Sequence, residues 1–275
     1  MKQFTSLLKV GSAAIAILAG NALSAGDAAA LNPKTSGEWL CNWGDKGSAA
    51  LTAVEAENAL ACKGSNTMIS KTAAQIDPEK SYKLSGSFKL APDSKPSKFY
   101  FGIIPFNDKG QQISAESVGA VADTETELAA DCNPEDTVVK IKNGDKWQSG
   151  QFFMIAFKAD DSGKKADLPN TELSGWDVVK VEKNGDVFDV TLKNKCGKKY
   201  AAGTKIREHR TGGTYIYLGA SNKDVPSDWT ESAAAFKKAD LWPGTCGAKI
   251  LILANYGGKP DQAMMMKDVK LEEVK

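Results

Sequence analysis

The stretch Arg207 to Ala220, REHRTGGTYIYLGA, holds the residue types from which chemistry could be built. His209 is the only histidine in the chain and stands between Arg207 and Arg210. A serine-type hydrolase needs a nucleophile, a base and an orienting acid. Here the base could only be His209, and no G-x-S-x-G motif presents a serine to it. A single histidine removes H-x-x-x-H zinc chemistry, and neither G-x-x-x-x-G-K-[ST] nor a G-x-G-x-x-G after a strand is present. Glycosidase chemistry needs only two carboxylates at a set separation, and nothing singles out a pair among the 34 acids.

Binding chemistry is better supplied. A sugar presents C–H faces between hydroxyls, so it is held by flat aromatic surfaces beside side chains that hydrogen-bond in pairs. Tyr and Trp combine apolar area with a polar tip. Trp39, Trp43, Trp147, Trp176, Trp229, Trp242, Tyr100, Tyr215, Tyr217 and Tyr256 are the available platforms. In TYIYL, Tyr215 and Tyr217 share one face of a strand, opposite Ile216 and Leu218. With the aliphatic pair inward, the tyrosines point outward, next to Arg207 and His209 on a preceding strand. Gly212-Gly213 permits a tight turn, so the expectation is a hairpin with a polar and aromatic outer face. Arg207, His209, Tyr215 and Tyr217, with Trp147 and Tyr100, form the expected ligand site. The competing reading is a hairpin whose aromatic pairs only stabilise an exposed sheet face.

The elements that must position these residues are strands. SYKLSGSFKL, KFYFGIIPF, TVVKIKNG, QFFMIAFK, DVVKVEKNG, VFDVTLK, TYIYLGA and AKILILANY are short β-branched and aromatic runs with turn residues between them. Ala248 to Ala254 is apolar almost without a break, as expected of a strand covered on both faces. KDVKLEEV places Val269, Leu271 and Val274 inward, nearly in alternation. VVKIKNGDKW and VVKVEKNGDVF each carry Asn-Gly after an alternating strand, which reads as shared turn chemistry, not as a repeat. The pattern predicts one all-β domain over residues 38–275, after a flexible lead at 26–37, with a loop-rich insertion around 114–200.

The first 25 residues differ from the rest. MKQFTSLLKVGSAAIAILAGNALSA has a charged start, an apolar run from Val10 to Leu18 and small residues from Ala22 to Ala25. This is the layout of a secretory signal peptide, with Ala25 or Ala30 as its last residue. The run is too short to span a bilayer, so a secreted or periplasmic protein without a membrane span is expected. Removal takes Lys2 and Lys9 and no acid, leaving 33 basic against 34 acidic residues. A near-neutral chain has no long-range field to gather phosphate polymers, which argues against nucleic acid. The five cysteines, Cys41, Cys62, Cys132, Cys196 and Cys246, are widely spaced with no C-x-x-C. Outside the cytosol pairing is the natural expectation, and Cys41 with Cys62, on consecutive strand-like segments, is the favoured pair. Small buried thiols are the alternative.

YKLSGSFK followed by FYFGIIPFNDKGQQI, and a closing WPGT with AKILI and DVKLE, resemble the jelly-roll carbohydrate-binding modules of secreted polysaccharide-degrading enzymes, in the galactose-binding-domain-like group. The resemblance covers Ser81 to Ile113 and Thr204 to Lys275 and rests on strand patterns and turn residues. It implies an antiparallel jelly-roll β-sandwich with almost no helix outside the signal peptide. It also implies that Trp229 to Phe236 is a strand despite its alanines, since tertiary context overrides propensity. Modules of this kind commonly carry a structural calcium ion near the chain ends, which implies Asp268 as a ligand with Glu38 or Asp45 as partner. The function it implies is non-catalytic binding of a polysaccharide or glycan on an aromatic-lined sheet face. A structural or adhesive surface protein of the same fold, and a glycan-active hydrolase or lyase, are the alternatives.

Overall fold

A computed structural model describes residues 30–42, 44 and 50–274. The expected signal segment, Trp43 and Asp45 lie outside the described residues. The protein is nearly all β, with antiparallel sheets packed as sandwiches. The first strands are β1 (Ala30–Leu31), β2 (Trp39–Cys41), β3 (Leu51–Val54), β4 (Ala59–Lys63), β5 (Asn66–Ser70), β6 (Ala74–Gln75), β7 (Ser81–Leu90) and β8 (Lys98–Phe106). Then come β9 (Thr126–Glu127), β10 (Val138–Ile141), β11 (Phe153–Phe157), β12 (Val178–Asn184), β13 (Val187–Leu192) and β14 (Lys205–Arg210). The chain closes with β15 (Ile216–Asp224), β16 (Thr230–Lys237), β17 (Gly247–Ala254) and β18 (Ala263–Val274).

Two six-stranded sheets make the main sandwich. One runs β16-β7-β18-β4-β3, with β1 also on β18, and the other runs β15-β8-β17-β5-β2, with β6 also on β17. Their inner faces meet in a core that includes Trp39, Tyr82, Leu84, Phe88, Phe101 and Ile250. β17 is buried along nearly its whole length, as its unbroken apolar run predicts. The alanine-rich segment is a strand: β16 pairs with β7 from Thr230 opposite Phe88 to Lys237 opposite Ser81. That continuous ladder outweighs the helical preference of its alanines. β18 departs from strict alternation at a bulge between Lys267 and Lys270, where Asp268 takes a positive φ of 53°. Val269 and Leu271 are buried as expected, but Val274 at the strand end is exposed.

The expected loop-rich insertion is a second, smaller sandwich. Sheets β10-β13-β12 and β11-β14-β9 lie between β8 and β15 in sequence. They close on their own core, with Val139, Ile141 and Val190 facing Phe153, Ile155, Phe157 and Ile206. Its last strand, β14, runs to Arg210, ten residues beyond the expected limit. Of the two Asn-Gly segments only one is a hairpin. In it Asn184 pairs with Val187, so the turn residues are Gly185, at φ 63°, and Asp186.

This topology overturns the expected hairpin at REHRTGGTYIYL. β14 pairs with β11 and β9 in the inserted unit, whereas β15 pairs with β8 in the main sandwich. The Gly-Gly segment is the return crossing between the two units.

Candidate functional site

The outer face of the β15-β8-β17-β5-β2 sheet gathers the aromatic residues. Alternation on β8 sends Phe99, Phe101 and Ile103 into the main core and leaves Tyr100, Gly102 and Ile104 on the other side. There Ile104, Leu251, Leu253 and Ile69 form an apolar floor, packed against Leu40, Tyr100, Phe106, Tyr215 and Tyr217. Gly102 is needed for this arrangement. A β-carbon at that position would collide with the Ile216 carbonyl and crowd the Tyr217 α-carbon, so only glycine lets the incoming segment settle onto the sheet.

Four tyrosines then adjoin one another. Tyr217 and Tyr100 have ring centroids 4.7 Å apart at 49°. Tyr256 meets the other side of Tyr100 edge-on at 4.8 Å, and Tyr215 meets Tyr217 edge-on at 6.3 Å. These are the tilted and edge-to-face distances that ring quadrupoles favour. Burial, with some help from Tyr215, Tyr100 and Tyr256, pushes the Tyr217 phenol up to about 12, so this ring is uncharged at neutral pH. Tyr256 is 52% exposed, and its backbone N–H donates to the Lys98 carbonyl at 2.7 Å. It also lines an open cleft of about 480 Å³ with Ser97, Lys98, Asp224, Lys259 and Gln262. Lys98 and Asp224 are paired at 3.0 Å across it. At the far end of the floor, the Lys249 amine lies 5.6 Å from the Phe106 ring centroid. Burial lowers the pKa of Lys249.

The sequence put Tyr100, Tyr215 and Tyr217 in one expected site and offered Tyr256 only as one of ten available platforms. Its only signal was its position directly after the unbroken apolar run of β17. Three other expectations are corrected. Trp147 is buried in the core of the inserted unit, with its indole N–H donating to the Thr124 carbonyl at 2.9 Å. Arg207 and His209 do not face outward; both are fully buried on β14. They share a face, as alternation requires, but the segments around Glu116 and Asp167 cover it.

The buried cluster has a defined protonation state. Arg207 Nη2 donates to Asp167 Oδ2 at 2.8 Å, and its Nε and Nη2 point at His209 Nε2 at 3.2 and 3.1 Å. A guanidinium has only donors, so Nε2 must accept and the ring proton sits on Nδ1. Nδ1 then donates to the Glu116 carbonyl at 2.7 Å. Burial, reinforced by the Arg207 charge, holds His209 down at about 4 despite that carbonyl. Burial raises the Asp167 carboxyl, but hydrogen bonds from Asn170 and the Asp160 N–H, with the Arg207 charge, outweigh it and leave a net lowering. Glu208 points to the opposite face. Its Oε1 accepts from the Gln148 N–H at 2.8 Å while Oε2 has no partner. Burial pushes it up to about 7.

The metal expectation gathers little around it. Asp268 is exposed at the β18 bulge. Glu38 Oε2 is taken up locally by Lys34 N, Thr35 N and Thr35 Oγ1 at 2.8–2.9 Å. Among the described residues no three His, Cys, Asp or Glu side chains come together to hold a metal. β1 and β18 are joined by backbone pairing of Ala30 with Glu272 and Leu31 with Leu271. All five cysteines are free thiols. The Asn66 amide reaches both sulfurs of the expected pair, at 3.2 Å to Cys41 and 3.8 Å to Cys62. It is Cys132 and Cys196 whose thiols touch each other. No helix among the described residues is long and apolar enough to cross a membrane.

No protein-family model matches the chain, and no curated protein matches it.

Proposed function

We propose that this is an exported, non-catalytic carbohydrate-binding protein that holds a polysaccharide or glycan against the tyrosine row on the outer face of its larger sandwich. The observation that carries the reading is the adjoining set Tyr215, Tyr217, Tyr100 and Tyr256, continuous with a polar cleft. Sugar C–H faces stack on neutral aromatic rings, and Lys98, Asp224 and Gln262 beside Tyr256 offer donors and acceptors to hydroxyls. The resemblance to jelly-roll binding modules and the export-type N-terminus support the same reading. Glu208 and His209, whose protonation burial displaces, lie in the interior, away from this face. A glycan-array screen of the chain lacking residues 1–25 tests the proposal. Expected is binding to at least one glycan class that Tyr217→Ala weakens. A chain that binds no glycan on the array would overturn it.

A further inference from the structure

A second pair of aromatic rings stands on the inserted unit, far from any role in packing. Phe152 is 44% exposed and Trp176 is 47% exposed. Their ring centroids are 6.1 Å apart at 69°. Neither side chain belongs to any of the three apolar clusters. Burial therefore returns little for keeping these large apolar rings in place.

The backbone that presents them is strained as well. Phe152 has φ 73° and Asp177, next to Trp176, has φ 74°. A bulky non-glycine residue in the left-handed region costs on the order of 1 kcal/mol or more and persists only where its surroundings hold it. Here the hold is explicit. The Phe152 N–H donates to Asp177 Oδ1 at 3.1 Å, and its carbonyl accepts from the Thr211 N–H at 2.9 Å. Asp177 Oδ2 is bound by the Lys193 amine at 2.6 Å, and the Lys193 N–H donates to the Asp177 carbonyl at 3.0 Å. One carboxylate thus ties the Phe152 loop to the Trp176 loop and carries a lysine at their junction.

Strain and exposed aromatic area that earn nothing from folding point to a ligand. We propose that Phe152 and Trp176 form a second sugar platform, on the inserted unit. A pyranose ring would rest on the Trp176 face, with Phe152 as a side wall and Asp177 and Lys193 addressing its hydroxyls. Two rings rimmed by a carboxylate and an amine match one or two sugar units. A stable protein interface needs about 800 Å² on each partner with a broad apolar centre. The inference shares with the proposed function the premise that the chain binds glycans, but it uses other residues in another unit. Two platforms on one chain would engage a polymer with avidity.

The test is affinity gel electrophoresis of the full chain in xylan, galactomannan, mixed-linkage β-glucan and polygalacturonate. The variants are Trp176→Ala, Phe152→Gly and, for the other face, Tyr217→Ala and Tyr256→Ala. Where the protein is retarded, Trp176→Ala should weaken retardation about tenfold, the worth of one stacked ring. Phe152→Gly should weaken it about threefold, by the same reasoning for a side wall. It should also leave the melting temperature within about 2 °C, because glycine tolerates the positive φ. A merely structural Phe152 would instead lose stability. Loss in the Trp176 variant alone supports this platform and removes the tyrosine row. Loss only in the tyrosine variants overturns this platform and leaves the proposed function standing. Retardation by none of the four polymers, or self-association in sedimentation that Trp176→Ala abolishes, overturns it as well.

Discussion

β14 and β15 follow one another in sequence and both send alternate side chains to opposite faces, yet their polar residues meet opposite fates. On β15 and the residue before it, Tyr217 and Tyr215 lie on the outer face, half-buried over an apolar floor. On β14, Arg207 and His209 are as deeply buried as any leucine. What differs is the cover. The larger sheet leaves its outer face to the tyrosines, whereas the inserted sheet is overlaid by the segments that supply Glu116, Asp167 and Asn170. Alternation fixes which residues share a face; it says nothing of what lies above that face. A polar face can therefore stay open to solvent in one unit and become an interior network in the other.

The strongest way to break this contrast is to remove Arg207. Arg207→Ala leaves the Asp167 carboxylate without its cation and His209 Nε2 without its donors. Removing one partner of a buried ionic network typically costs about 3–5 kcal/mol. Urea unfolding should show a loss of that size. A loss below about 1 kcal/mol, the range of an exposed pair, would mean that the network does not hold the inserted unit together.

A second effect, of comparable size, concerns the thiols of the same unit. The turn after Cys132 and the segment from Cys196 are laced together, with Cys132 and Tyr200 exchanging backbone hydrogen bonds and Cys196 N–H donating to the Asp136 carbonyl. Refolding with reduced and oxidised glutathione should join Cys132 to Cys196 in preference to Cys41 and Cys62, between which Asn66 is placed. Each crosslink converts one glutathione disulfide into two thiols. A bridge closing a loop of about 60 residues is worth about 4 kcal/mol in the chain-entropy account. Peptide mapping under non-reducing conditions reads the pairing, and a melting temperature lowered by reductant reads the gain. A Cys41–Cys62 crosslink with free Cys132 would reverse the assignment.

Next comes pH, because the two faces of β14 respond in opposite directions. Glu208 titrates at about 7 when folded, against 4.5 ordinarily. Between those values the folded chain keeps a proton that the unfolded chain has lost, so stability falls as pH rises through 7. His209 titrates at about 4, against 6.5. Between those values the unfolded chain holds the extra proton, so stability falls as pH drops from 6.5 through 4. From 4.5 to 6.5 the two slopes oppose each other, and the wild-type profile should be nearly flat there. Glu208→Gln keeps an acceptor for the Gln148 N–H and removes only the alkaline loss. Relative to wild type it should gain about 3 kcal/mol between pH 5 and pH 8, from roughly 2.5 pKa units. Parallel profiles for the two proteins would show that Glu208 is not protonated in the folded chain.

The same contrast shows how far the sequence could be read. The all-β class and the two-sided burial of β17 were legible, because period and turn residues act locally; the strand at Thr230–Lys237 came only from the resemblance, against the helical preference of its alanines. The pairing of β14 was not. Gly212-Gly213 suits a hairpin, and only the strand order, a long-range property, shows that it is a crossing. Trp147 was misplaced because a tryptophan has the same letter on a surface as in a core; its partner, the Thr124 carbonyl, is 23 residues away. Tyr215 and Tyr217 were legible as outward residues by alternation with Ile216 and Leu218, whereas Tyr100 was named as a platform without a face. Trp176 was named as a platform, but its pairing with Phe152 escaped, since neither sits on a strand and their support comes from positive-φ backbone that no local pattern announces.

The smallest effect on stability should accompany a clear effect on binding, and it sharpens the reading of the tyrosine face. Tyr256 is the most exposed of the four rings, and truncating an exposed side chain usually changes stability by no more than about 0.5 kcal/mol. Tyr217 packs against the apolar floor of Ile69, Ile104, Leu251 and Leu253, so Tyr217→Ala should cost about 2 kcal/mol in folding as well as affinity. If the row is a sugar platform, Tyr256→Ala should leave urea unfolding unchanged and weaken glycan binding about tenfold, the worth of one stacked ring. Tyr256→Phe keeps the stacking face and loses only the hydroxyl, so it should retain most of the affinity. If Tyr256→Ala leaves binding intact while Tyr217→Ala weakens both binding and folding, the tyrosines serve to cap the floor. The loss at Tyr217 would then be a consequence of a loosened sheet and not of a missing contact.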